Sequence, residues 1–254
     1  VPKVSVTIIT LNEADHIAAA ISSVTWADEV IVVDAGSSDD TLALAQAAGA
    51  AVHTRTWTGW IDQKNYAASL AANDWVLSLD ADERITPALA SEIRALVAAE
   101  PTCVAYRMPR VTFHLGRWVR TTDFYPDFQT RLYDRRSASW RGRYVHESVS
   151  ADGPVGQLKA EIAHYSFRDL SDHLDRINRY TTLAARQMHE AGRRASAWHL
   201  LVHPAAAFLR NYVLRRGFLD GTVGLLISCI NAYAVLLKFA KLWELQRIPG
   251  AGVR

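Results

Sequence analysis

The sequence predicts an α/β fold, a mostly parallel sheet covered on both faces, followed by a helical C-terminal extension. Three features point to it. Apolar, β-branched runs alternate with helix-like stretches over the first hundred residues, the rhythm of parallel strands buried on both faces. Three of those runs end in polar or acidic clusters. From residue 171 onward the pattern becomes helical. The chain has 254 residues, 50% of them hydrophobic and 21% charged, enough to bury a substantial core and unlike a disordered chain.

Taken in order, Val4–Thr10 and Glu29–Asp34 read as the first two strands, 51–55 as a weaker third and 75–79 as a fourth. Helices are expected at about 14–24, 41–48 and 61–72, with right-handed crossovers. Asp39 or Asp40 can cap the second helix, and Thr86-Pro87 opens another that runs to about Ala98. After Pro101, aromatic- and arginine-bearing segments at 106–113, 128–133, 144–150 and 157–165 read as further strands. Residues 171–190 form a helix with Leu174, Ile177, Leu183 and Ala184 as its apolar residues. The division expected is one domain at 1–168, in two halves at 1–100 and 101–168, and a helical extension at 169–254.

Net charge is +2 but unevenly spread. Residues 1–114 hold 7 Lys/Arg against 14 Asp/Glu, and residues 115–254 hold 21 against 12. The basic half therefore suits an anionic partner, or simply attracts the acidic half. Cys103 and Cys229 lack metal-ligand spacing, two lone thiols fit a reducing compartment, and Cys229 reads as core. The opening residues lead directly into a strand rather than a signal peptide. No nucleic-acid motif accompanies the basic residues, so no nucleic-acid partner is expected.

Ligands of open parallel sheets bind beyond the carboxyl ends of the strands. There the chain carries Thr10-Leu11-Asn12-Glu13, Asp34-Ala35-Gly36-Ser37-Ser38-Asp39-Asp40, and Asp80-Ala81-Asp82-Glu83. Asp80 and Asp82 are alternate residues, which in extended backbone point the same way. Two such carboxylates offer oxygens to Mg²⁺ or Mn²⁺, and a substrate diphosphate completes the shell. The plainer alternative is a solvated loop with helix-capping acids.

The runs Val-Thr-Ile-Ile-Thr-Leu-Asn-Glu, Val-Ile-Val-Val-Asp-Ala-Gly-Ser-Ser-Asp-Asp-Thr and Val-Leu-Ser-Leu-Asp-Ala-Asp-Glu resemble family 2 glycosyltransferases of the GT-A fold, with the motifs in the same order and at similar spacing. The resemblance implies a Rossmann-like sheet and inverting transfer from a nucleotide-sugar. It places Thr10, Asn12 and Glu13 beside the base and ribose. Asp34 goes to the uracil or ribose, and Asp80 to the ribose and diphosphate. Asp82 becomes the principal metal ligand, with Asp80 as its companion. Lys64 looks like the basic residue near the diphosphate. Each has a plainer alternative: Asn12 a cap, Asp34 a turn former, Lys64 a solvated helix residue.

Farther on, Asp127-Phe128-Gln129-Thr130-Arg131-Leu132-Tyr133 and Tyr144-Val145-His146-Glu147-Ser148-Val149 resemble the bacterial lipopolysaccharide inner-core β-1,4-glucosyltransferase group. So do Arg210-Asn211-Tyr212, Gly217-Phe218-Leu219-Asp220-Gly221 and Lys241-Leu242-Trp243-Glu244. The resemblance implies UDP-glucose as donor and an anionic glycolipid acceptor. Inversion needs one general base for the acceptor hydroxyl. Glu147 is the choice, with Asp127 and then Asp123 in reserve; an ion pair to Arg141 or Arg143 is its plainer role. His146 orients the site or packs. His164 is left out of the metal set. Arg117, Arg120, Arg131, Arg135, Arg136, Arg141 and Arg143 offer paired hydrogen bonds to an anionic acceptor.

Residues 222–237 are mainly apolar but number only 16, short of the roughly 20 of a spanning helix. With Trp198, Arg210, Arg215 and Arg216 before them, they suit peripheral attachment to the cytoplasmic face of the inner membrane. Packing on the catalytic domain and a homo-oligomer interface are the alternatives. A nucleotidyltransferase would need a Gly-rich basic loop where Thr10-Leu11-Asn12-Glu13 stands. A polyprenyl-phosphate glycosyltransferase and a non-catalytic nucleotide-sugar-binding protein remain as further readings.

Overall fold

The computed structural model describes residues 2–142 and 147–248. Two compact units emerge: residues 1–111 with 127–165, and residues 112–126 with 166–254.

The first unit is built on β1 (Val4–Thr10), β2 (Glu29–Asp34), β3 (Ala51–Thr54) and β4 (Trp75–Asp80), which pair in parallel in the order β3-β2-β1-β4. Val6, Ile8, Val32, Val33, Val76 and Leu77 are fully buried, as the unbroken apolar runs require. Helices α1 (Ile17–Ser22), α2 (Thr41–Ala47) and α3 (Trp60–Leu70) lie between these strands in sequence. Asp40 occupies the N-cap of α2 without a side-chain bond; Asp39 instead accepts from the Thr41 amide at 3.1 Å. Beyond β4 come β5 (Glu83–Ile85) and α4 (Pro87–Ala98), where Thr86 caps by accepting from Leu89 N at 3.2 Å and Pro87 opens the first turn.

The sheet continues with opposite polarity. β8 (Asp127–Asp134) pairs antiparallel with β4 and with β6 (Ala105–His114). β9 (Ala138–Arg141) and β10 (Ser148–Ala151) form a separate antiparallel pair. The strand expected at 157–165 is instead two short ones, β11 (Val155–Gln157) and β12 (Ile162–His164). Residues 144–146 of the strand expected at 144–150 lie outside the described residues.

The second unit joins the end of β6, β7 (Arg117–Val119) and helices α5 (Leu170–Glu190), α6 (Ala197–Leu209) and α7 (Gly221–Arg247). Asn211 is fully buried. It accepts from Asp123 N at 2.7 Å and donates to Ala207 O at 3.1 Å. Asp220 takes the Thr121 hydroxyl at 2.5 Å and pairs with Arg117 at 2.8 Å. Gly224 has no room for a side chain, since a Cβ there would stand 1.8 Å from Gly217 O. The Arg-Asn-Tyr and Gly-Phe-Leu-Asp-Gly motifs thus tie the 112–126 segment to the helices.

On α5 the buried residues are His173, Thr181 and Ala185, while Leu174 and Leu183 stay 39% and 51% exposed. One expectation is corrected here. Cys229 is exposed rather than core, because α7 buries Gly224, Ile227, Ser228 and Ile230 on its other side.

Candidate active site at the strand tips

Register places the polar strand ends side by side. Thr10 is level with Asp34, and Ile9 with Asp80. Asp34 is fully buried. Its Oδ2 accepts from the Gly36 and Ser37 amides at 2.8 Å each, and its Oδ1 from the Ser37 hydroxyl at 2.5 Å. The carboxylate thus shapes the loop after β2 in the way Asp side chains build turns. Asn12 adopts φ +55°, a left-handed conformation that Asn tolerates better than most residues. It binds the same loop: its amide donates to Ser37 Oγ at 2.8 Å, and its Oδ1 accepts from Ser38 N at 2.9 Å. Glu13 N donates to Thr41 Oγ1 at 2.8 Å. The hydroxyl of Thr10 is buried without a hydrogen-bond partner among the described residues.

Next to this edge lies a chain of alternating charge. Lys64 donates to Asp80 Oδ1 at 2.7 Å, and Arg131 to Asp80 Oδ2 at 2.5 Å and to Glu83 Oε1 at 2.7 Å. Arg110 joins Glu83 at 2.9 Å and Asp127 at 2.6 Å. Arg131 and Glu83 are buried. Burial opposes charge on Arg131, yet Asp80 and Glu83 outweigh it and raise its pKa. Desolvation pushes the Asp80 carboxyl up, but Arg131 and Lys64 overcome it and hold it well below the usual range. Lys64 goes down instead, because burial dominates its attraction to Asp80; its ammonium also sits 4.1 Å from the Trp140 ring centroid.

Asp82 occupies the turn between β4 and β5. His164 Nε2 lies 3.3 Å from its Oδ2. Burial raises the Asp82 carboxyl, but His164 outweighs this and the net shift is down. As a hard-cation ligand Asp82 fits: it is an ionised carboxylate at the strand tips. Asp80 is differently placed, with both oxygens already held by cations. Among the described residues no three acidic, histidine or cysteine side chains converge as a metal cluster.

Glu147, half-buried, lines a cavity of about 640 Å³ with Thr58, Gly59, Trp60, Ile61, Asp62, Asn65 and Gly142. Asn65 fastens α3 to β9 through a two-way bond with the Trp140 backbone, 2.9 Å each way. Arg141 pairs with Asp152 at 3.3 Å; Arg143 and His146 lie outside the described residues. The reserve bases are already engaged. Asp127 is bound by Arg110 and by Gln129 at 2.7 Å; Asp123, in the second unit, pairs with Arg210 and accepts from Asn211 at 3.0 Å.

Sequence reading offered Arg131 to the acceptor and overlooked Glu83 and Arg110 as its neighbours. The available signal was an arginine flanked by Leu132 and Tyr133 in a strand, where a buried charge requires a partner. Other arginines of that group are also paired: Arg117 with Asp220, Arg136 with Asp74 and Asp134.

The chain resembles known proteins over most of its length. The description "Glycosyl transferase family 2" matches residues 5–151. An uncharacterized glycosyltransferase of Rickettsia felis is 35% identical, over 95% of this chain and 90% of its own length. The lipopolysaccharide core biosynthesis glycosyltransferase LpsC of Rhizobium meliloti is 30% identical, over 96% and 94%. Among solved structures, the mannosyltransferase PcManGT of Pyrobaculum calidifontis, in complex with GDP-Man and Mn²⁺, superposes with a TM-score of 0.55 at 17% identity, covering 96% of this chain and 88% of that one; the likeness is one of fold, and the fold is GT-A. With strand-tip acids in register and a family match across more than half its length, the chain belongs to glycosyltransferase family 2.

Proposed function

We propose that the protein is an inverting, metal-dependent hexosyltransferase that moves glucose from UDP-glucose to an anionic lipopolysaccharide inner-core acceptor. The observation that carries this reading is the row Thr10, Asp34 and Asp80 on adjacent strands, with Asp82 one turn beyond and Lys64 on Asp80. The nucleoside binds against Thr10, Asn12, Glu13 and Asp34. The orphaned Thr10 hydroxyl is an available hydrogen-bonding group there. Lys64 and Arg131 are the cations nearest the diphosphate.

Asp82 would hold the Mg²⁺ or Mn²⁺, with Asp80 as its companion beside Lys64. When bound, that ion neutralises charge on the leaving nucleoside diphosphate. Glu147 accepts the proton of the acceptor hydroxyl as its oxygen attacks the anomeric carbon from the opposite face. The name of the LpsC relative supports the acceptor class.

The enzyme works peripherally at the cytoplasmic face of the inner membrane. In the second unit Leu201, Leu209, Leu214 and Leu219 are 73%, 57%, 77% and 61% exposed, with Arg215 and Arg216 beside them in sequence. Exposed leucines interspersed with arginines in sequence suit an anionic leaflet. Residues 217–247 are long and apolar enough to cross a bilayer, which keeps a polyprenyl-phosphate or other glycolipid acceptor as the second reading. Against a simple span, Lys241 is bound to Asn178, Thr181 and Thr182 of α5 at 2.7–2.9 Å.

The deciding experiment is hydrolysis of a panel of UDP- and GDP-sugars with and without divalent cation. Turnover of UDP-glucose that stops in chelator is expected. Equal rates with chelator would overturn the metal, and preference for another donor would overturn the sugar.

A further inference from the structure

The cavity beside Glu147 is lined by one tryptophan, Trp60, that nucleotide binding leaves unexplained. Trp57 and Trp60, on the approach to α3 and its first residue, are 40% and 54% exposed. Their rings meet edge to face with centroids 4.7 Å apart. Gly59 between them takes φ +130°, a conformation side chains with a Cβ rarely adopt. Leaving a large apolar side chain in water forgoes the stabilisation that burial would give. Yet the same helix buries Gln63, Lys64, Ala67 and Ala68.

The rest of the lining is polar. Thr58, Asp62, Asn65 and Glu147 share the cavity with Trp60, and Asp62 is fixed by Arg55 at 2.7 Å and by the Thr58 hydroxyl. A flat apolar wall facing hydrogen-bonding oxygens fits a pyranose ring, which has a C–H face and a rim of hydroxyls. An acyl chain would have no use for the carboxylates. At about 640 Å³ the space falls in the range of small-molecule sites.

We propose that Trp60, braced edge-on by Trp57, is the platform for the acceptor's pyranose ring, whose hydroxyls point to Glu147 and Asp62. The assignment rests on Glu147 as the base, since that identifies the ring presented to it as the acceptor. Trp60 sets the height and tilt of the ring, so it is a positioning and specificity-determining residue.

Saturation-transfer NMR with methyl glucopyranoside, methyl mannopyranoside and a methyl heptopyranoside, with glycerol as a non-ring control, tests it on the full chain. Ring-proton saturation should fall about tenfold in Trp60→Ala and recover partly in Trp60→Phe, as loss of an aromatic contact predicts. Titration with UDP and Mn²⁺ should be unchanged in both. Weakened UDP binding in Trp60→Ala would move the ring to the donor. Unchanged saturation, or none from any glycoside with the parent protein, would leave only surface tryptophans; each result overturns the proposal. A Glu147→Gln protein that binds the glycosides and transfers at the parent rate would remove the base while sparing the binding platform, so the two failures are distinguishable.

Discussion

The two units treat the hydrophobic rule in opposite ways. The sheet unit buries charge, with Arg131 and Glu83 at 2% and 0% side-chain exposure. The helical unit exposes apolar groups, with Leu214 and Leu201 both above 70%. Each departure is costly on its own terms. The difference teaches where to test function in this chain: at the buried ions beside the strand tips, and at the uncovered leucines of the helices.

The sharpest break in that comparison comes from the base. Glu147→Gln should lower transfer by about 10³-fold while UDP binding in calorimetry stays unchanged; normal turnover would return the role to another carboxylate. Asp82→Asn follows, with an expected loss of about 10²-fold or more in turnover and of the Mn²⁺ dependence of UDP binding. Arg131→Met tests whether the buried charge chain is structural. It strands Asp80 and Glu83, and should destabilise by roughly 3–5 kcal/mol in urea unfolding. A change under 1 kcal/mol would mean that water reaches the network.

Smaller effects sharpen the helical side. His173 is buried against His114, with their ring nitrogens 3.0 Å apart. Burial, together with His114, depresses its pKa to about 4. The unfolded chain, with an ordinary histidine, binds the proton more readily. Stability is therefore full above about pH 6.5 and falls as pH drops toward 4, by about 2–3 kcal/mol from this residue. His173→Gln should flatten that part of the melting profile. Last, Leu214→Glu with Leu219→Glu should reduce sedimentation with phosphatidylglycerol vesicles about tenfold and leave donor hydrolysis intact. Unaltered sedimentation would assign those leucines to another partner.

Much of the sheet was legible because buried parallel strands write themselves as unbroken Val/Ile/Leu runs: β1 and β2 fall on their predicted bounds. Thr86-Pro87 likewise announced α4 through local capping chemistry. What escaped were pairings between distant segments. Nothing local to Arg131 names Asp80 and Glu83, which lie 51 and 48 residues away. Leu174 and Leu183, nine residues apart and so on opposite sides of α5, both remain uncovered. Asp34 showed its position at a strand end, but its engagement with Gly36 and Ser37 depends on how the loop after β2 folds back.

The run Lys64–Asp80–Arg131–Glu83–Arg110–Asp127 also sets how the protein should respond to ionic strength. Mobile ions screen exposed charges beyond about 10 Å at 0.1 M salt, but scarcely reach buried contacts under 3 Å. Were the proposed hold on lipid to depend on arginines, a molar salt wash should loosen it while leaving these short ion pairs in place.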